Sequence, residues 1–343
     1  MAKLIFNKNT AKLEPYNVSV MPEKITRMHA NECSRPILDY NVLLKNIDEN
    51  LNFYPENKAL KLIESAGNFY DVNKDKIIAT NGSDEAIDLI IRTFCNPAED
   101  AILVLEPTFS MYKQYAVAFG LKVQHVELKE GDVSWNFDEN ELIKVAKEKK
   151  VKMIFIPNPL ANVGNLIEKQ KILKIIKSLP DKIVVIDEAY IEFCSLENSL
   201  LSELDKYKNI VVLRTFSKFF GLAGIRLGFV FTNFQSEVMK IKSPYNVNSI
   251  TCQIGVNVLN NITNDIIKQR QNEVVKKRIE LEKWLKNFSE VEKIFNSDAN
   301  FVFVKLNCKA TMFATKLEKE FKMKIKVMSG KFENYCRISI VLN

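Results

Sequence analysis

From about residue 58 to residue 230, short apolar runs alternate with longer amphipathic ones. The runs Lys76-Ile-Ile-Ala-Thr80, Ala101-Ile-Leu-Val-Leu105, Lys122-Val-Gln-His-Val126, Lys152-Met-Ile-Phe-Ile156, Lys182-Ile-Val-Val-Ile186, Asn209-Ile-Val-Val-Leu213 and Gly228-Phe-Val-Phe-Thr232 are β-branched and bounded by polar or turn residues, as buried strands are. Between them, Asp84–Phe94, Phe109–Gly120, Asp138–Lys149 and Glu168–Ser178 place apolar residues at helical spacing. This alternation predicts an α/β fold: a mostly parallel seven-stranded sheet between helices.

After about residue 250 the texture changes. A long charged helical stretch, Ile262–Asn287, leads to two strand-like runs, Asn300-Phe-Val-Phe-Val304 and Arg337-Ile-Ser-Ile-Val341. Strands that follow helix in this way predict a separate, small α+β unit. The expected division is an N-terminal arm and small-domain segment at 1–40, a large domain at 41–250 and a small C-terminal domain at 251–343.

The length of 343 residues suits two domains on the usual scale of roughly 100–200 residues each. Net charge is +7, but only eight of the 49 cations are Arg, and Lys is spread along the chain beside Asp and Glu. A nucleic-acid binder concentrates its basic residues on one face, so no nucleic-acid partner is expected. The six cysteines form no C-x-x-C pair and have only two histidines beside them, which argues against a disulfide framework or a zinc site. With no apolar run near the roughly 20 residues that span a bilayer, the expectation is a cytoplasmic protein with no membrane partner.

In open α/β sheets the ligand lies beyond the carboxyl ends of the strands. Lys218 follows one such end in Thr215-Phe-Ser-Lys218, and Arg226 comes eight positions later. Together they offer an amine nucleophile beside groups able to bind phosphate. Either residue alone reads as readily as a solvated cation. Asp187 closes another strand, where a buried carboxylate can keep a pyridine nitrogen protonated, although a helix cap is an equally ready reading. Tyr190 lies three residues on. Gly82-Ser-Asp84 opens a helical pattern and so offers backbone N–H groups to an anion. Phe109 or Tyr112 can stack on an aromatic ring.

These residues sit within a longer series: Pro15-Tyr16, Asn31-Glu32, Tyr54-Pro55, Gly82-Ser-Asp-Glu85, Pro107-Thr-Phe-Ser-Met-Tyr112, Asp187-Glu-Ala-Tyr-Ile-Glu-Phe193, Arg214-Thr-Phe-Ser-Lys218, Gly221-Leu-Ala-Gly-Ile-Arg226, Pro244-Tyr-Asn-Val247 and Arg337-Ile-Ser-Ile340. In this order they resemble the histidinol-phosphate aminotransferase family of fold-type I pyridoxal-phosphate enzymes, over residues 13–341. The resemblance implies pyridoxal 5'-phosphate as cofactor, with Lys218 as its covalent anchor and proton shuttle, Asp187 on the pyridine nitrogen, Tyr190 on the ring hydroxyl and Tyr112 stacked on the ring. It implies that Ser83, Asp84, Thr215, Ser217 and Arg226 hold the cofactor phosphate. Tyr54 would reach that phosphate from a neighbouring subunit, in a homodimer with shared active sites. Tyr16 and Asn31 would line the substrate site, and Arg337 would take a substrate carboxylate. The implied reaction moves an amino group between L-glutamate and a small keto acceptor such as imidazole acetol phosphate.

Two departures stand out. The family's N-P-N-N-P-T-G loop reads Asn158-Pro-Leu-Ala-Asn-Val-Gly164 here, so Ala161 falls where an asparagine would bond the ring hydroxyl; a shift of the loop by one residue lets Asn162 bind the cofactor there instead, and without it Tyr190 acts alone. In Lys324-Ile-Lys-Val-Met328, Met328 falls where the family carries an arginine for the substrate phosphate, and Lys326 or Lys331 is the available substitute. Two other readings stay open: a decarboxylase of a phosphorylated amino acid, and a cofactor-binding paralogue with impaired catalysis.

Overall fold

The computed structural model describes residues 7–15, 24–47 and 51–342. Strand β1 (Thr26–Met28), a short helix α1 (Tyr40–Leu43) and helix α2 (Leu60–Tyr70) lead into the alternating region. There β2 (Ile77–Thr80), α3 (Gly82–Phe94), β3 (Ala101–Glu106), α4 (Ser110–Phe119) and β4 (Lys122–Glu127) follow in turn. A hairpin of β5 (Lys129–Glu130) and β6 (Trp135–Asn136) precedes α5 (Glu139–Ala146), β7 (Val151–Pro157), α6 (Lys169–Ser178) and β8 (Ile183–Asp187). Next come β9 (Ile210–Thr215), β10 (Gly228–Thr232), α7 (Gln235–Met239), α8 (Ser249–Asn261) and α9 (Asn264–Leu285). The chain finishes with β11 (Val291–Phe295), β12 (Phe301–Leu306), α10 (Ala310–Phe321), β13 (Met323–Val327) and β14 (Tyr335–Ser339).

Seven strands form one sheet in the order β2-β10-β9-β8-β7-β3-β4. Every pairing is parallel except the two made by β10. All seven runs expected from the sequence are these strands. Because β10 alone runs backwards, the carboxyl ends of β2, β3, β7, β8 and β9 share one edge of the sheet. The six strands other than the edge strand β4 are buried on both faces, which explains their continuous apolar character. Within β2, Ile77 and Ala79 join the core on one face, and Ile78 joins the core on the other.

The second sheet has the order β1-β13-β14-β12-β11 and its own core, in which Phe313 and Leu317 of α10 pack on Val302, Val304 and Ile338. Its first strand comes from the N-terminal segment and pairs in parallel with β13. The two ends of the chain are therefore joined in one sheet. No helix among the described residues is long and apolar enough to cross a membrane.

Candidate active site

A cavity of about 670 Å³ opens between the carboxyl edge of the large sheet and the small sheet. Asp187 reaches it as the last residue of β8, and Thr215, Ser217 and Lys218 reach it from the end of β9. Ser83 and Asp84 come from the first turn of α3, and Arg226 from the turn before β10. From the other side, Lys326 and Met328 at the end of β13, with Arg337 of β14, close the wall.

Asp187 is buried, and loss of water pushes its carboxyl up to about 6, although bonds from the Tyr112 hydroxyl (2.5 Å) and the Ala189 N–H (3.1 Å) oppose that shift. The Lys218 ammonium donates to the Ala30 carbonyl at 2.8 Å and lies 5.9 Å from the centre of the Tyr190 ring. The Tyr190 hydroxyl in turn accepts from Asn31 Nδ2 at 2.9 Å.

At the opposite end of the cavity the N-terminus of α3 is open. Its cap residue Asn81 makes no side-chain bond to the first turn, which leaves first-turn N–H groups facing the cavity beside Ser83. Gly82 has φ +78°, and a Cβ there would come within 2.7 Å of Arg226 Nη2. The guanidinium thus lies directly over the glycine, held by Asp84 Oδ2 at 3.0 Å and in reach of Ser217 Oγ at 3.4 Å. A hydroxyl pair, Thr215 and Ser217, completes the cup at 3.0 Å from one another. An amine, a buried acid and a cradle of N–H, hydroxyl and guanidinium donors are the donor set that pyridoxal phosphate requires.

Arg337 crosses from the small sheet to the large one. Its Nη1 donates to Asn162 Oδ1 at 2.9 Å and to the Ala161 carbonyl at 3.2 Å, its Nη2 donates to the His29 carbonyl at 3.2 Å, and its guanidinium sits 5.3 Å from the centre of the Phe301 ring. Asn162 also donates to the Thr108 carbonyl at 2.6 Å, so its amide is engaged on both sides.

Behind the cavity, Arg214 is buried between Glu188 (2.8 Å) and Glu192 (2.6 Å) and lies over Tyr70 at 5.3 Å. It joins the segment after β8 to the end of β9, the two segments that present Asp187 and Lys218. Removing one partner of such a buried cluster leaves an uncompensated charge, at about 3–5 kcal/mol.

The structure brings Lys218, Asp187, Tyr190, Ser83, Asp84, Thr215, Ser217, Arg226, Asn162 and Arg337 to this one cavity. Two expectations change. Tyr112 does not face it: the ring is fully buried, stacked on Phe155 at 4.6 Å, and its hydroxyl serves Asp187 from beneath. Of the two aromatics in this motif, Phe109, at the cap of α4, is the one that lines the cavity. Asn31 is fully buried and off the wall, with its side chain held by Tyr190 and Ser339. Its place is behind Tyr190, where it orients the hydroxyl. Tyr54, expected to serve a neighbouring subunit, is 80% exposed, stacks on Tyr245 at 4.4 Å and lies outside its own chain's cavity. Tyr16 lies outside the described residues.

Sequence reasoning missed His29, whose half-buried ring lines the cavity with Nδ1 buried and unpartnered; burial makes it less basic than usual. Its only signal was its place just before Asn31. Among the described residues no group of His, Cys, Asp and Glu is placed to hold a metal ion.

The family of aminotransferases of class I and II matches residues 25–341. A histidinol-phosphate aminotransferase from Clostridium kluyveri is 34% identical over 345 residues, covering 99% of this chain and 95% of the relative. The crystal structure of the histidinol-phosphate aminotransferase from Clostridium acetobutylicum superposes with a TM-score of 0.81 at 27% identity, over 92% of this chain and 94% of that one. That of the Sinorhizobium meliloti enzyme in complex with pyridoxal-5'-phosphate has a TM-score of 0.87 over 100% of this chain and 94% of the other; at 19% identity it shows the same fold.

Proposed function

The chain belongs to the aminotransferases of class I and II, and from that premise we propose that it uses pyridoxal 5'-phosphate to exchange an amino group between L-glutamate and a small phosphorylated keto compound such as imidazole acetol phosphate. One observation carries the reading: the Lys218 amine, the Asp187 carboxylate and the phosphate cup around Arg226 line a single cavity, at the edge where an α/β sheet binds its ligand. The named relatives supply the substrate class.

The bound cofactor supplies an electron-withdrawing ring. Asp187 holds the proton on its ring nitrogen, and Tyr112 steadies that carboxylate from below. Ser83, Thr215, Ser217 and Arg226 grip its phosphate, with Asp84 orienting the guanidinium. Lys218 Nζ would anchor the cofactor and would serve as the base for the proton on the substrate Cα. Tyr190, set by Asn31, serves the ring hydroxyl, and Asn162 sets Arg337. Arg337 takes the donor carboxylate, with Phe301 behind it excluding water.

The exposed Tyr54, stacked on the exposed Tyr245, with the exposed Leu51 and Phe53 just before it in the chain, supports a homodimer in which these side chains are covered and Tyr54 enters the partner's site. Six free cysteines support a reducing compartment, the cytoplasm.

The test is an absorbance-monitored half-reaction. Protein loaded with pyridoxal phosphate is mixed with L-glutamate or, separately, L-histidinol phosphate, and each is expected to convert the cofactor to its amine form. Lys218→Ala is expected to abolish both conversions. A Lys218→Ala protein that still transaminates overturns the assignment, and release of carbon dioxide from O-phosphothreonine replaces it with decarboxylation.

A further inference from the structure

Glu85 of the Gly82-Ser-Asp-Glu85 motif and Asn246 of Pro244-Tyr-Asn-Val247 are not on the wall of the active-site cavity. They meet at the turn between β2 and α3. Glu85 Oε2 accepts from the backbone N–H of Asn81 and from Asn246 Nδ2, the latter at 2.8 Å. The same Asn246 amide donates to the Ala79 carbonyl of β2 at 3.1 Å, and its Oδ1 accepts from the Lys242 ammonium at 2.8 Å. Lys242 is buried and has two further acceptors, the Ser243 carbonyl at 2.9 Å and the Asn57 carbonyl at 3.2 Å.

The turn that these side chains hold leads directly into the phosphate cup. Asn81 is the cap residue of α3. Glu85 reaches back to its N–H as the acid of a capping box does, so the helix start is held from the side and the N–H groups within the first turn are left for the cavity. A carboxylate this near the cup would by itself work against a bound phosphate, because the two charges have the same sign. The Lys242 ammonium, joined to Glu85 through Asn246, offsets it; burial makes this amine less basic than usual, and the Glu85 charge opposes that shift. An ammonium only donates and a carboxylate only accepts, so the two charges together impose the orientation of the Asn246 amide between them.

We propose that Glu85 is a positioning residue for the cofactor phosphate: through the Asn81 N–H it fixes the first turn of α3, whose N–H groups receive the phosphate, while Asn246 and Lys242 hold the carboxylate in place. This rests on the pyridoxal-phosphate reading above. Both hydrogen bonds to Glu85 end on one oxygen, Oε2, and a carbonyl oxygen has two lone pairs with which to accept them. Glu85→Gln therefore keeps both bonds and removes only the charge, whereas Glu85→Ala removes the hold itself.

Pyridoxal phosphate and pyridoxal offer Lys218 the same aldehyde, and only the first carries a phosphate. The ratio of their dissociation constants, read by absorbance titration of the cofactor-free protein, therefore isolates the cup. Glu85→Ala is expected to weaken the binding of pyridoxal phosphate by about 5- to 30-fold, the scale of a lost helix cap, and to leave that of pyridoxal nearly unchanged. Glu85→Gln is expected to stay within about threefold of wild type for both aldehydes, since its bonds are kept. A Glu85→Ala protein that loses affinity for both aldehydes equally, or for neither, overturns the proposal and leaves the cofactor reading in place. So does a Glu85→Gln protein as impaired as Glu85→Ala. If Glu85→Ala does not fold, Asn246→Ala is expected to shift the same ratio by about three- to tenfold, and an unchanged ratio there overturns the proposal. A wild-type protein that binds pyridoxal as tightly as pyridoxal phosphate has no phosphate cup, and that result overturns the cofactor reading and the proposal together.

Discussion

The Tyr112 hydroxyl donates to Asp187 Oδ2 at 2.5 Å, from a ring stacked flat on Phe155 beneath the carboxylate. The carboxylate thus has a donor on the side away from the cavity, and that donor favours its charged form. Tyr112→Phe removes it. The loss is expected to raise the dissociation constant for pyridoxal phosphate by about 10- to 100-fold at pH 7.5, the scale of one hydrogen bond to a charged group. In the wild-type protein, affinity is expected to fall below about pH 6 as Asp187 takes up a proton, and in Tyr112→Phe that fall begins at higher pH. Absorbance titration with pyridoxal phosphate from pH 5 to 8.5 checks both, and coincident profiles for the two proteins contradict the role given to Tyr112.

The same buried carboxylate burdens the cofactor-free fold. Its pKa is about 6 in the folded state against an ordinary 3.8, so the folded state binds the proton more tightly than the unfolded chain does. Stability is therefore lost as pH rises from about 4 to 6 and stays lost above that. Asp187→Asn is expected to stabilise the cofactor-free protein by about 2–3 kcal/mol at pH 7.5 and to change little at pH 4. Urea unfolding at the two pH values measures the difference, and a gain of equal size at both would show that the charge is not its source.

Gly82 is tested by the smallest possible change. Its φ of +78° is costly for any residue with a Cβ, and that Cβ would meet Arg226 Nη2 at 2.7 Å. Gly82→Ala should displace the guanidinium from the cup and weaken cofactor binding about tenfold or more, since a charge-assisted contact to the phosphate is lost. Arg226→Lys, which keeps the charge and loses the fork, is the comparison. Equal affinity for wild type and Gly82→Ala would remove Arg226 from the phosphate site.

The large sheet was legible because six of its strands are buried on both faces and so appear as apolar runs, while the edge strand β4 alternates polar and apolar residues. The small sheet was less so. In β11, Val291-Glu-Lys-Ile-Phe295, charges interrupt the apolar residues at an edge position, and β1 is only three residues long. Helix α8 escaped notice because Asn257 and Thr251 lie on its buried side, which blurs the apolar stripe. In the site, the types of residue were readable and their orientations were not. Phe109 and Tyr112 stand three apart in one motif, and only the backbone decides which faces the ligand: Phe109 is extended at the cap of α4, whereas Tyr112 is inside the helix and turns to the sheet. Asn31 adopts φ +54°, and this turns its side chain to Tyr190. No pattern of residue types encodes either outcome.

The N-terminal strand β1 and its following loop meet the last strand of the chain. Asn31 accepts from the Ser339 hydroxyl, Ser34 accepts from the Leu342 N–H, and each pair is 308 residues apart in the sequence. Domains fold as they leave the ribosome, in order of synthesis. The phosphate cup and Asp187, all within residues 82–226, are complete while β14 is still unmade, so a nascent chain acquires the means to hold a cofactor before it can recognise a substrate. Arg337 arrives last, and its wall is sewn to a segment that has waited since the start of synthesis. Substrate preference is therefore the last property this enzyme gains, and it rests on β14, the middle strand of the small sheet, whose Ile338 and Ser339 are fully buried.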